Sequence, residues 1–93
     1  MADEIKFDWD KANLDHIARH DVSSAEAEEA FLNDPVELKF TDEDEPRWSI
    51  IGRTNLGRFL IVVFTERGLS LRVITAFDAT KREEAVYFEQ KGK

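Results

Sequence analysis

Apolar residues alternate briefly at the start of the chain, then follow a helical period, then alternate over a long middle stretch, and close on a helical period again. Ile5, Phe7 and Trp9 interleave with Lys6 and Asp8, which predicts a short half-buried strand. Asp10 has the position of an N-cap, and Leu14, Ile17 and Ala18 form the apolar stripe of a helix running to about His20. Asp21 ends that helix where glycine is the cheaper residue. Ser23 and Glu26 have the spacing of a capping box, so a second helix starts there with Ala27, Ala30 and Phe31 on its buried face. Asn33-Asp34-Pro35 stops it, because proline cannot continue a helix interior.

From Val36 onward the alternation predicts four strands: Val36–Thr41, Arg47–Thr54, Arg58–Glu66 and Leu69–Phe77. The charged turn Asp42-Glu43-Asp44-Glu45-Pro46, the reversal Asn55-Leu56-Gly57 and the pair Arg67-Gly68 connect them. Arg58–Glu66 is apolar on both faces, as a central strand is. Thr80 and Glu83 repeat the capping-box spacing and open a terminal helix to about Glu89. The order β-α-α-β-β-β-β-α with short later connections predicts an α+β fold: one antiparallel meander, with helices covering one face.

Composition narrows this. The 93 residues suffice for one domain, 1–93, with one core. Cysteine is absent, so neither disulfides nor thiolate metal sites hold the fold. The opening M-A-D-E-I-K-F lacks an apolar signal core, and the longest apolar run, Phe59–Phe64, is far short of the roughly 18 residues of a membrane span. A soluble, cytoplasmic protein is expected, with no membrane partner. The net charge of −7 is unevenly divided: residues 1–46 carry 15 acids and 4 bases, residues 47–93 carry 5 acids and 9 bases. An acidic whole argues against general nucleic-acid affinity, whereas a basic second half permits a local polyanion site.

Several pieces recur together in order: F-D-W-D near the start, H-I-A-R-H-D-V closing the first helix, the S-x-x-E opening of the second, and G-R before a hairpin. V-V-F-T-E-R-G, R-V-I-T-A and A-T-K-R-E with a tyrosine beyond complete the set. Between Phe7 and Tyr87 the chain resembles the BrnT family of toxins from bacterial type II toxin–antitoxin pairs, which share a RelE-like fold. The resemblance implies a metal-independent endoribonuclease that cuts RNA, needs no cofactor, and is neutralised by a small antitoxin with a ribbon-helix-helix DNA-binding domain. The matching positions are Trp9, Arg19-His20, Arg47, Arg53, Arg67, Arg72 and the segment from Lys81-Arg82-Glu83 to Tyr87. The chain departs from the family pattern where arginine usually follows R-V-I-T-A, here Phe77, and where glycine usually follows the histidine, here Asp21. Its acidic balance departs as well, since family toxins tend to be basic.

Cleavage of this kind needs a base for the 2′-hydroxyl proton, a cation for the crowded phosphate and an acid for the leaving oxygen. Arginine suits the second role because its planar fork matches phosphate oxygens in pairs. Arg47 and Arg53 share parity within one strand and so point to the same face. Arg72, a lone cation among the apolar residues of its strand, completes a cationic platform if it faces the same way; pairing with Glu66 or with the acidic turn is the structural alternative. His20 is the candidate for proton transfer, its ordinary pKa of about 6.5 allowing either direction near neutrality. A histidine at a helix C-terminus is also explained by bonding to the last carbonyls. Tyr87 reads as core packing or, beside a cation, as a catalytic acid. Lys81 and Arg82 stand in a helix first turn, where the dipole disfavours cations; either a docked anion or the neighbours Glu83 and Glu84 offset them. Arg67, at the last hairpin, is by the same resemblance a further candidate RNA contact. His16 and His20, four residues apart, are not accompanied by an H-E-x-x-H pattern, so no metal site is expected.

Two functions therefore stand side by side. One is a toxin-type endoribonuclease with an RNA substrate and a cognate antitoxin. The other is a toxin-like protein-interaction module whose catalysis is weakened by Phe77. Whether the chain forms a homodimer or a toxin–antitoxin hetero-oligomer stays open.

Overall fold

The computed structural model describes residues 5–42 and 45–92; Glu43 and Asp44 of the expected acidic turn, and the N-terminal residues 1–4, lie outside these. The elements in chain order are β1 (Lys6–Phe7), α1 (Lys11–Ala18), α2 (Ser24–Leu32), β2 (Val36–Asp42), β3 (Pro46–Arg53), β4 (Phe59–Arg67), β5 (Ser70–Asp78) and α3 (Lys81–Lys91). All strands join one sheet in the order β1-β5-β4-β3-β2. β2 to β5 form the antiparallel meander, with β4 at its centre. The sheet is nevertheless mixed, because β1 runs parallel to β5, with Lys6 opposite Ser70 and Phe7 opposite Leu71. This first strand is shorter than the alternation predicted. Beyond Phe7 the Asp8 N–H still donates to the Leu71 carbonyl at 2.8 Å, and Asp10 then caps α1 by accepting from the Asn13 N–H.

Both capping boxes form as the spacing predicted, Ser23 with Glu26 and Thr80 with Glu83. Asp21 takes the left-handed conformation, φ 62°, and turns the chain between α1 and α2. α1 buries a different flank from the one expected. Asn13 and Ile17 face inward while Leu14 and Ala18 are exposed, because the Asn13 amide donates to the Val73 carbonyl at 2.8 Å and seats the helix on β5.

The helices also divide between the two faces of the sheet, where one covered face was expected. On the first face, Ile17 of α1 and Ala27, Ala30 and Phe31 of α2 pack with Val22 against Ile50, Leu60, Val62, Phe64, Val73 and Ala76. On the second, Tyr87 of α3 packs against Ile51 and Ile61, flanked by Phe59, Val63 and Phe77. The cause is β4. Leu60, Val62 and Phe64 point to one face and Phe59, Ile61 and Val63 to the other, so neither face can be left wholly to water.

α2 approaches β3 backbone to backbone. A Cβ on Gly52 would stand 2.1 Å from the Ala30 carbonyl oxygen, well inside contact distance. Gly52→Ala is therefore expected to push helix from sheet and to cost about 1–3 kcal/mol, read as a lower midpoint in urea unfolding at unchanged slope.

Candidate functional site

α3 covers only part of the second face, over Ile51, Phe59, Ile61 and Phe77. Farther along the strands the same face turns polar. Lys39, Ser49, Val63 and Thr75 stand directly opposite one another across four strands, in one row. In the next row Arg47 is opposite Thr41, and Arg72 is opposite Thr65. The Trp48–Phe64 pairing makes Arg47 the other neighbour of Thr65, so Arg47 and Arg72 flank it about 10 Å apart. Lys39, Thr41, Arg47, Trp48, Ser49 and Val63 line a depression of about 220 Å³ there.

A bulge in β5 sets this arrangement. Val63 pairs with Thr75 but Phe64 pairs with Val73, leaving Ile74 as the extra residue. The added residue brings Arg72 and Phe77 to the same face, although five positions of uninterrupted strand would put them on opposite faces. Arg72 is thus on the face of Arg47 and Arg53. Its guanidinium is occupied: Nη2 donates to Asp10 at 2.8 Å and Nη1 lies 3.6 Å from Asp8. The partners are these two carboxylates at the β1–α1 junction, not Glu66. Asp10 above all, with Asp8 and Glu45 adding charge, raises the Arg72 pKa further. The Asp10 carboxyl is held below its ordinary value by the Asn13 N–H first and by Arg72 second.

Arg58, which the strand pattern shows only as the first residue before the apolar run, ties four segments together. Its Nε donates to Asp78 at 2.7 Å, and its Nη1 donates to the Asp21 carbonyl at 2.7 Å and to Glu26 at 3.1 Å. Nη2 reaches the His20 carbonyl at 3.4 Å. The start of β4, the α1–α2 turn, the start of α2 and the end of β5 meet on one planar fork, a geometry lysine could not reproduce. Asp78 is lowered by Arg58, Glu26 by the Ser23 N–H and then Arg58.

The remaining candidates are dispersed. His20 is exposed just past the end of α1, its ring edge-on to Phe77 at 5.9 Å and to His16 at 5.8 Å. Arg53 lies over the Phe59 ring, 4.9 Å from its centroid. Tyr87 is buried edge-on to Phe59 at 5.1 Å and shares with Arg53 the wall of a separate depression of about 650 Å³. Arg67 is exposed at the β4–β5 hairpin. Lys81 and Arg82 are exposed at the start of α3, where Lys81 lies 3.7 Å from Glu84 and Glu83 already bonds the Thr80 N–H. Trp9 packs at the edge of the first core, its indole N–H donating to Glu28 at 2.8 Å.

The structure therefore brings Arg47 and Arg72 into one row and Arg53 and Tyr87 into one hollow, and sets His20 beside Phe77. It does not bring these groups into a single site. Lys39 was missed because a bulge at Leu38 shifts the parity of β2. Arg58 was missed although it carries the oddity of Arg72, a lone guanidinium at an apolar strand.

The α+β domain thus carries cations from neighbouring strands on one open part of a sheet face. A family model described as the ribonuclease toxin BrnT of a type II toxin–antitoxin system matches residues 9–83, most of the chain. The chain belongs to this family of ribonuclease toxins, and membership implies an RNA target and an antitoxin partner. No curated protein and no solved structure matches it. Among the described residues no helix is long and apolar enough to cross a membrane, and no group of three or more His, Asp or Glu is placed to hold a metal ion.

The lowered carboxylates predict the acid limb of stability. Ordinary values are 4.5 for Glu26 and 3.8 for Asp10 and Asp78, and each is lower in the fold. Their contribution is complete above those values and disappears as pH falls through the folded ones. Melting temperature is expected to hold down to about pH 4.5 and then fall, and Arg58→Ala is expected to start lower and fall less steeply in the same thermal scans.

Proposed function

We propose that the chain is an endoribonuclease toxin that cuts RNA without a metal ion and is held inactive by a small ribbon-helix-helix antitoxin, on a fold of the RelE-like kind. The observation that carries this reading is the convergence of Lys39, Arg47 and Arg72 from three strands on the part of the sheet beyond α3. Lys39 and Arg47 grip the scissile phosphate, and their donors meet the charge that grows on its oxygens in the transition state. Arg72, fixed by Asp8 and Asp10, contributes a pinned cation at the far end of the row. Among the described residues no histidine or carboxylate lines the depression that holds Lys39 and Arg47, so water takes the 2′-hydroxyl proton; the 2′-oxygen bonds to phosphorus as the bond to the 5′-oxygen breaks, and water protonates that oxygen as it leaves. Products are a 2′,3′-cyclic phosphate and a free 5′-hydroxyl. Arg67, Lys81 and Arg82 act at a distance, drawing the RNA chain toward a protein that is acidic overall.

A second reading, a toxin-like interaction module with weakened catalysis, is favoured by the placement of His20. Phe77, where the family pattern has arginine, is its neighbour in place of a guanidinium. Phe77 is also two strands and four residues away from Arg47, about 16 Å, more than one phosphate bridges.

The test is cleavage of a mixed-sequence RNA by purified protein in excess EDTA, with growth scored on expression alone and with the antitoxin. The ribonuclease reading expects EDTA-resistant cleavage carrying cyclic phosphate ends, lost on the order of 100-fold in Arg47→Ala, and growth arrest relieved by the antitoxin. Intact RNA and unimpeded growth would decide for the interaction module. Restoring the guanidinium with Phe77→Arg is expected to raise cleavage, measured as initial rate on the same RNA.

A further inference from the structure

We propose that the hollow between the β3–β4 turn and α3 is a subsite for one phosphorylated nucleotide of single-stranded RNA, an inference that rests on the ribonuclease reading for its substrate. At about 650 Å³ it falls in the size range of small-molecule sites. It is separate from the Lys39–Arg47 depression: its walls come from the end of β3, the turn to β4, the end of α2 and Tyr87 of α3.

Its chemistry matches the parts of a nucleotide. Arg53 supplies the phosphate donor. Its guanidinium is held over the Phe59 ring, and among the described residues no carboxylate pairs with it, in contrast to Arg58 and Arg72. An arginine steadied by an aromatic ring and left unpaired is pre-organised for an anion. The two asparagines supply the base contact. The Asn33 Nδ2 donates both to the Arg53 carbonyl at 2.8 Å and to the Asn55 Oδ1 at 2.9 Å. That fixes both amides and leaves the Asn33 Oδ1 as an acceptor and the Asn55 Nδ2 as a donor. A nucleobase edge presents the complementary donors and acceptors. The Asn55 backbone is itself pinned, its N–H donating to Glu29 at 3.0 Å. Tyr87 adds its phenol ring and hydroxyl to the wall. Leu56, 99% exposed on the rim, offers an apolar surface for the base plane.

An apolar peptide segment suits this wall poorly, since an unpaired guanidinium and two oriented amides would be buried without matching groups. A nucleotide satisfies all three. The subsite gives the protein a second hold on the RNA chain, away from the phosphate in the other depression.

The experiment is an NMR titration of the full ¹⁵N-labelled chain with adenosine 5′-monophosphate, with inorganic phosphate and adenosine as separate arms, and with RNA cleavage assayed on the same preparation. The nucleotide is expected to shift the side-chain amide signals of Asn33 and Asn55 and the Arg53 Nε–H together and saturably. Each fragment alone should bind at least tenfold more weakly. Arg53→Ala should weaken nucleotide binding at least tenfold, and Arg53→Lys should recover only part of it. Phosphate binding as tightly as the nucleotide, or shifts elsewhere on the surface, would overturn the subsite. Should Arg53→Ala fail to fold, the three arms on the unaltered protein still decide. Nucleotide binding here by a preparation that leaves RNA whole keeps the subsite and removes the ribonuclease reading. Cleavage without these shifts does the reverse.

Discussion

A central strand with no polar face governs the architecture. From Phe59 to Phe64 every residue of β4 is apolar, and successive side chains enter opposite cores. Water must be kept from both sides of the sheet, which requires helices on both. Two are present for the first side and one for the second. The single helix α3 covers the stretch with Phe59, Ile61 and Phe77, and the cover ends where β4 becomes Thr65-Glu66-Arg67. The open, polar half of that face follows from this shortfall, and the candidate phosphate grip lies within it.

Charge is then distributed by pairing. Arg58 is committed to Glu26, Asp78 and two carbonyls, and Arg72 to Asp8 and Asp10. Both arginines anchor chain segments far apart in sequence, and both help lower the carboxyl pKa of bonded partners, Arg72 that of Asp10 and Arg58 those of Glu26 and Asp78. Arg47 and Arg53 differ. One stands in a depression with Lys39 and Ser49, the other over an aromatic ring beside two oriented amides. Glu26, Asp78, Asp8 and Asp10 face the two structural arginines, and among the described residues no carboxylate pairs with Arg47 or Arg53.

Family membership and local geometry bear on function with different force. The match over residues 9–83 places the chain among ribonuclease toxins. The two residues read from the sequence as departing from the family resemblance, Asp21 and Phe77, fall at one corner: Asp21 forms the left-handed turn, Phe77 lies edge-on to His20, and Arg58 binds the carbonyls of both His20 and Asp21. Asp21 can take the glycine position because a short polar side chain tolerates positive φ. Phe77 replaces a charge with a ring, which preserves packing against the second core while removing a donor.

Local rules made much of the fold legible from the chain alone. The capping boxes at Ser23 and Thr80, the stop at Asn33-Asp34-Pro35 and the central place of β4 each depend on residues close in sequence, whose spacing is visible without coordinates. The shared face of Arg47 and Arg53 follows from strand parity in the same way. What remained hidden depends on residues brought together from afar. The bulge at Ile74 decides that Arg72 joins that face, Asn13 rather than Leu14 turns inward because a carbonyl of β5 awaits it, and Asp10, 62 positions away, takes up Arg72 together with Asp8. Spacing along the chain specifies which residues can share an element and a face; only packing decides which charges meet, because pairing energy depends on distance in space.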